Sequence, residues 1–316
     1  MQLRWKSTDV NVNKPMRARG GLPICQNRCA RGEVIMNARL LAEKDKCADP
    51  LQRGVDLYKS FRNNALPKIL IGGLIGTVLS REEWASLFIN IAKYRPRSLE
   101  SPPFFSSLNG EVISRCYCDP TLRQLFNQSD GLAIDGMSAV FASRIFASRR
   151  IPERAATTDL FHNVARLAER NGTTMYLLGA SAEQNRRAAD AIRRRYPNLQ
   201  ILGQHHGYFT TAESEGIVCD IDRLGPDIVW IAMGVPREQE FCIRHQHALK
   251  NVGLLKTSGG LFDFLSGLRT RAPQWMQIAG LEWLHRLYLE PTRLFARYAV
   301  TNIVALWLLI TRTRSL

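Results

Sequence analysis

From Lys68 to Gly260, short apolar runs rich in β-branched residues alternate with stretches whose apolar positions recur every three or four residues. The first kind reads as buried strands and the second as amphipathic helices. The predicted strands are "KILIGGL" (68–74), "PFFSSLN" (103–109), "GLAIDGM" (131–137), "TMYLLGA" (174–180), "QILGQHHGYF" (200–209), "DIVWIAMG" (227–234) and "VGLLKTSGG" (252–260). Between them lie helical patterns. Ser80-x-x-Glu83 is a capping-box start for "EEWASLFINIAKY", and Ser181-x-x-Gln184 opens "EQNRRAADAIRRRYP". One helix is expected through "EVISRCYCDPTLRQLFNQ" and another over "AVFASRIFA". Strand, helix, strand at this rhythm implies right-handed crossovers and a parallel sheet with helices on both faces. The expected fold class is α/β, Rossmann-like.

The two ends break the rhythm. Residues 1–66 lack periodicity and read as a basic, flexible extension, so the body is expected to begin at Pro67 and run to residue 268. Residues 269–316 show no strand signal and read as an Arg- and aromatic-rich helical appendage, kinked near Pro291. Charge follows the same division. The net +15 arises from 13 Lys/Arg against 6 Asp/Glu in residues 1–66 and 7 against 2 in residues 269–316, with the middle nearly neutral. A neutral body with cationic attachments suits phosphates or anionic lipid. The N-terminus has no apolar signal core, and the longest apolar run near the C-terminus, "IVALWLLI" (303–310), is short for a bilayer span. Seven cysteines in no framework pattern suggest reduced thiols and a cytoplasmic protein, and neither Cys25-x-x-x-Cys29 nor Cys116-x-Cys118 has a second pair at zinc spacing.

Several motifs admit both a chemical and a purely structural reading. Asp135-Gly136 ends a buried strand, where α/β enzymes place their chemistry, yet Asp-Gly is also a common loop start. Strand-end glycines (Gly72, Gly73, Gly76, Gly179, Gly234, Gly259, Gly260) form neither a dinucleotide fingerprint nor a P-loop. Gly259-Gly260 suits either a tight turn or close approach to a phosphate or sugar. His205-His206 is a candidate metal or acid/base pair, or a hydrogen-bonded structural pair whose adjacent side chains point to opposite faces. Pro236-Arg237-Glu238-Gln239-Glu240 opens a helix either to recognise a nucleotide or to complement the helix dipole. Arg286, Arg293 and Arg297, spaced i, i+7, i+11, form one stripe on a helix, interleaved with Trp283, Leu287, Leu294, Phe295 and Tyr298. Arginine forks among apolar residues suit diphosphate oxygens at a membrane interface, or an ordinary packing helix. Nucleic acid is not expected, since no recognised nucleic-acid-binding pattern is present. A non-enzymatic module holding anionic lipid or RNA is the alternative reading of the basic ends.

In order along the chain, "SLN" (107–109), "AIDGM" (133–137), "RIPERAATTDLF" (150–161), "MYLLGA" (175–180), "ILGQHHGYF" (201–209), "PDIVWIAMGVPREQE" (226–240), "SGGLFDFLSG" (258–267), "RAPQWMQIAGLEWLHRL" (271–287) and "EPTRLFARY" (290–298) resemble the WecG/TagA/CpsF glycosyltransferases. The resemblance covers some three-quarters of the chain and leaves out residues 1–66. It implies an inverting, metal-independent enzyme without cofactor, moving a sugar from a UDP-sugar donor to a polyprenyl-diphosphate-linked acceptor in surface-polysaccharide or exopolysaccharide synthesis. It also implies a peripheral site on the inner face of the cytoplasmic membrane and leaves a homo-oligomer open. By the same resemblance Asp135 is the general base, and Ser107 and Asn109 stand where the family has Thr-x-Asn. Gly136, Gly179, Gly234, Pro236, Arg237, Glu238, Gln239, Gly259, Gly260 and Asp263 are the expected substrate-binding residues of the core. Arg286, Arg293 and Arg297 are expected to hold the diphosphate and dock the membrane. Family members differ in donor sugar, which no residue here discriminates.

Overall fold

In the computed structural model, which describes residues 50–316 apart from Ser98, strands and helices alternate as the pattern predicts. Helix α1 (Pro50–Arg62) leads into a hairpin of β1 (Lys68–Ile71) and β2 (Leu74–Thr77). Then come α2 (Arg81–Tyr94), β3 (Phe104–Leu108), α3 (Gly110–Cys118), α4 (Pro120–Asn127), β4 (Gly131–Ile134), α5 (Met137–Phe146) and α6 (Thr157–Asn171). The chain continues through β5 (Met175–Gly179), α7 (Ala182–Arg195), β6 (Ile201–His205), α8 (Thr211–Leu224), β7 (Ile228–Ala232), α9 (Arg237–His245) and β8 (Leu254–Thr257). It closes with α10 (Leu261–Leu265), α11 (Gln274–Ala279), α12 (Glu282–Leu289), α13 (Pro291–Thr311) and β9 (Arg314–Ser315).

The sheet order is β6-β5-β7-β8-β3-β4-β2-β1-β9. Pairings from β6 across to β2 are parallel, whereas β1 is antiparallel to both β2 and β9. The sheet is thus mixed, and the expected single strand 68–74 is a hairpin. Gly72 and Gly73 take φ of +57° and +87°, which lets two residues reverse the chain. Strand β9, which no sequence signal marks, pairs with the edge that this hairpin leaves open.

Side-chain alternation divides the core. Phe105 faces Trp84, Phe88 and Phe161 on one side of the sheet, while Phe104 next to it faces Tyr176, Ile221 and Phe241 on the other. A third cluster joins β1 and β4 to α3, α5 and the buried Leu308 and Leu309 of α13. After β3 the chain leaves into α3 on one face, and after β8 into α10 on the opposite face. The C-terminal ends of these two neighbours are therefore a topological switch point, where α/β sheets open a crevice.

Other boundaries differ from expectation for local reasons. The single helix over 111–128 breaks at Asp119-Pro120, because proline cannot continue a helix but suits the first turn of the next, which the Asp119 side chain caps. Pro291 likewise begins α13 rather than kinking a longer helix. Packed chain also precedes Pro67: Leu57, Tyr58 and Phe61 of α1 lie on the core, and Tyr58 Oη donates to the Tyr94 carbonyl at 3.0 Å. Residues 1–49 of the expected extension, with Cys25, Cys29 and Cys47, lie outside the described residues. Finally, "IVALWLLI" is part of the 21-residue α13, whose stretch Leu294–Thr311 is long and apolar enough to cross a membrane by length and composition. One face of this helix (Leu294, Tyr298, Ala305, Leu308, Leu309) is buried, while Phe295, Val300, Ile303, Leu306, Trp307 and Ile310 are exposed.

Candidate active site

Strand β4 is buried along its length, and Asp135 is the first residue beyond it. Its Oδ2 accepts hydrogen bonds from the backbone N–H and the hydroxyl of Thr157, both at 3.1 Å. Thr157 is the first residue of α6, whose N-cap Ala156 makes no side-chain capping bond. Asp135 therefore supplies from another element the acceptor that the helix start lacks, and the positive end of the helix favours its charge. The carboxyl is partly open to solvent but deep enough that burial pushes its pKa up to about 6, against the Thr157 N–H and the nearby Arg154 charge. Gly136 caps α5 with an extended φ of −157°, so it needs no left-handed turn. A Cβ there would come no closer than 3.7 Å to Asn109, an ordinary contact.

Asp135 lies in a solvent-open cleft of about 240 Å³ whose walls include Asn109, Arg154, Arg271, Glu282, Trp283, Arg286, Tyr298 and Asn302. Asn109 shapes the wall by capping α3, its Oδ1 accepting from Val112 N at 3.0 Å. The 271–282 segment is tied to the body by ions. Arg154 pairs with Glu282, and Arg271 pairs with Asp159 and, at 3.4 Å, with Glu282. Gln277 Oε1 accepts from both guanidinium groups, at 3.2 Å from Arg154 and 2.7 Å from Arg271. Burial works against a charged Glu282, but Arg154 and Arg271 outweigh it and hold its carboxyl below the usual range.

The expected arginine stripe is divided between two helices. Arg286 lies on α12 and lines the cleft. Arg293 and Arg297 lie on α13; Arg297 pairs with Glu111 at 3.1 Å and stacks over Tyr298, and the Arg293 side chain lies outside the described residues. The break at Glu290-Pro291 ends the single helix on which the i, i+7, i+11 spacing depended.

Behind Asp135 the network continues inward. Ser107 Oγ lies 3.0 Å from Thr157 Oγ1 and accepts from Lys256 Nζ at 3.0 Å. Lys256 also donates to the Thr257 carbonyl at 2.6 Å and has no solvent exposure. Burial lowers its pKa to about 8, with Glu238, Asp135 and Cys242 pulling it back up. Sequence reasoning passed over Arg154, Thr157, Lys256, Arg271 and Glu282. The one visible signal was a lysine interrupting the apolar run "VGLLKT".

The remaining expected residues distribute around this centre. Glu238 and Gln239 are both buried, so neither presents its side chain to the cleft: Glu238 Oε2 accepts from Gly259 N at 2.9 Å, and Gln239 Nε2 reaches Ser106 Oγ at 3.4 Å. Gly259 has a φ of +56°, which this pin on its N–H holds, and Gly260 stands at the N-cap of α10. Asp263 pairs with Arg269 at 3.4 Å. Gly179, with φ +137°, is required by close packing, because a Cβ would stand 2.3 Å from the Ala232 carbonyl oxygen. Gly234 (φ +77°) and Pro236 shape the loop before α9. Arg237 leaves that loop toward a different hollow, lined also by Phe209, Met233 and Arg244, where its guanidinium donates to Gly207 O at 2.9 Å. The His205 and His206 rings lie 4.4 Å apart rather than on opposite faces, because β6 ends between them. Among the described residues no group of three or more His, Cys, Asp or Glu side chains is placed to hold a metal ion.

Comparison with known proteins identifies the family of the chain. Residues 77–316 match the glycosyl transferase WecG/TagA/CpsF family. Two similar proteins are each named N-acetylglucosaminyldiphosphoundecaprenol N-acetyl-beta-D-mannosaminyltransferase. The one from Bacillus subtilis (strain 168) is 30% identical over 191 residues, 60% of this chain and 72% of that protein. The one from Staphylococcus aureus (strain MRSA252) is 24% identical over 221 residues, 70% of this chain and 85% of that protein. The chain belongs to the WecG/TagA/CpsF glycosyltransferase family.

Proposed function

We propose that this glycosyltransferase moves a sugar from a UDP-sugar to a hydroxyl of a polyprenyl-diphosphate-linked acceptor, with inversion, at the inner face of the cytoplasmic membrane. The observation that carries the reading is the Asp135 carboxyl, raised toward neutrality and held by Thr157 in a cleft with three arginines in its walls. The names of the two relatives supply the acceptor class.

The chemistry fits the geometry. Asp135 takes the proton of the acceptor hydroxyl as that oxygen attacks the anomeric carbon. The new C–O bond forms on the face opposite the donor diphosphate while the old one breaks, and UDP leaves with the electron pair. The departing diphosphate needs preorganised cations. Arg154, Arg271 and Arg286 supply these, the first two fixed by Glu282, Asp159 and Gln277. No role for a metal ion is required in this scheme. Exposed Phe295, Ile303 and Trp307 on the outer face of α13 suit insertion into a lipid interface while the inner face stays packed on the body. In this reading α13 docks on the membrane rather than crossing it.

Sugar transfer to a lipid-diphosphate acceptor by Asp135→Asn tests the proposal. Turnover is expected to fall by about 10²- to 10⁴-fold. Near-normal turnover would exclude Asp135 as the base.

A further inference from the structure

Lys256 is an ionisable group close behind Asp135 that the transfer scheme leaves unused. It lies on β8 beside β3 with no solvent exposure. A buried ammonium is costly unless hydrogen-bonded and paired, so its place calls for a physical reason. An ammonium has only donors to offer. Ser107 Oγ must therefore accept from Lys256, which leaves its one hydroxyl proton for Thr157 Oγ1. Thr157 Oγ1, accepting that proton's hydrogen bond, turns its own proton to Asp135 Oδ2. The three contacts are 3.0, 3.0 and 3.1 Å. With Asp135 ionised, every donor in the chain points the same way, from cation to anion.

We infer that Lys256 is a positioning residue for Asp135, its buried ammonium acting through the hydroxyls of Ser107 and Thr157 to orient the carboxylate and favour its charged form. The proposal deepens the reading of Asp135 as the base and rests on it for its catalytic meaning. The hydroxyl that the chain requires at position 107 is kept by either Ser or Thr. Around the pair, Arg154 and Glu282 face Asp135, while Glu238 and Cys242 of α9 face Lys256. Burial moves Asp135 up to about 6 and Lys256 down to about 8, so both ends of the chain are charged between those values.

The test follows the Asp135 carboxyl itself in the full-length protein. Asp residues are ¹³C-labelled at the carboxyl, and the Asp135 resonance is assigned by its loss in Asp135→Asn. Lys256→Met is expected to raise its titration midpoint by about one pH unit, the lower end of the usual effect of an opposite charge, because two hydroxyls intervene. An unmoved midpoint overturns the proposal. Lys256→Met also removes the positive charge beside buried Glu238, so Ser107→Ala, which keeps the ammonium and cuts the chain, is measured in parallel. That variant is expected to lose about tenfold or more in kcat, with acceptor KM changed less than about twofold, and Ser107→Thr to restore kcat. Wild-type kcat in Ser107→Ala overturns the proposal even where Lys256→Met fails to fold. Normal turnover by Asp135→Asn would instead refute the general-base reading, and the midpoint shift would still decide the link to Lys256.

Discussion

Replacing Asp135 by Asn keeps the shape and the acceptor oxygen for Thr157 but removes the charge, so its effect on stability isolates the cost of placing that carboxylate in the cleft. The folded carboxyl titrates near 6 against an ordinary 3.8. Two pH units at 1.36 kcal/mol each give a ceiling of about 3 kcal/mol, and partial exposure to the cleft reduces this to about 1–2 kcal/mol. Because the folded pKa lies above the unfolded one, the cost is absent below about pH 4, grows between about 4 and 6, and is complete above that. Asp135→Asn is therefore expected to be about 1–2 kcal/mol more stable than the parent at pH 7.5 and equal to it at pH 4. Urea denaturation at the two pH values measures both differences. Turnover by the parent should fall through an acid limb near pH 6 in the same range. A variant less stable than the parent at pH 7.5, or stabilised equally at both pH values, would refute the argument that the carboxylate is held there at an electrostatic cost.

Two further outcomes follow from packing. Ile303→Ser and Phe295→Ser alter exposed side chains of α13. Each should leave the unfolding midpoint nearly unchanged yet weaken binding to anionic lipid vesicles about fivefold, the loss of roughly 1 kcal/mol of apolar burial. Vesicle co-sedimentation measures this, and undiminished binding by the pair would remove α13 from the docking surface. Gly179→Ala places a Cβ against the Ala232 carbonyl at a φ of +137°. It should cost about 2 kcal/mol or more by thermal or urea unfolding, whereas an unchanged midpoint would show that β5 and β7 can separate there.

The legible part of the molecule is the part set by neighbours in sequence. Ser80 and Glu83 form the capping box expected of them, and the Asp135 strand end is where the apolar run "GLAI" stops. Breaks that need only one residue's chemistry are readable in principle: Pro120 divides a helix expected to be continuous, and Pro291, expected as a kink, begins a new helix. Glu238 and Gln239 could not be resolved by pattern, because the first turn of a helix looks alike whether its acids meet solvent, a ligand or a buried glycine N–H. The arginine stripe failed for a related reason: a spacing defines one face only while the helix is unbroken.

By itself the sequence determined the α/β rhythm, the family, and Asp135 as a carboxylate at a strand end, since periodicity, capping and turn chemistry act over a few residues. Tertiary structure alone decided the antiparallel edge, where β9 comes back to β1 from more than 240 positions away. It also decided that Thr157 holds Asp135 from 22 residues on and that Lys256 reaches Ser107 across 149. Contacts between strands depend on sheet order and register, and alternation reveals which face a side chain takes but not which strand stands beside it.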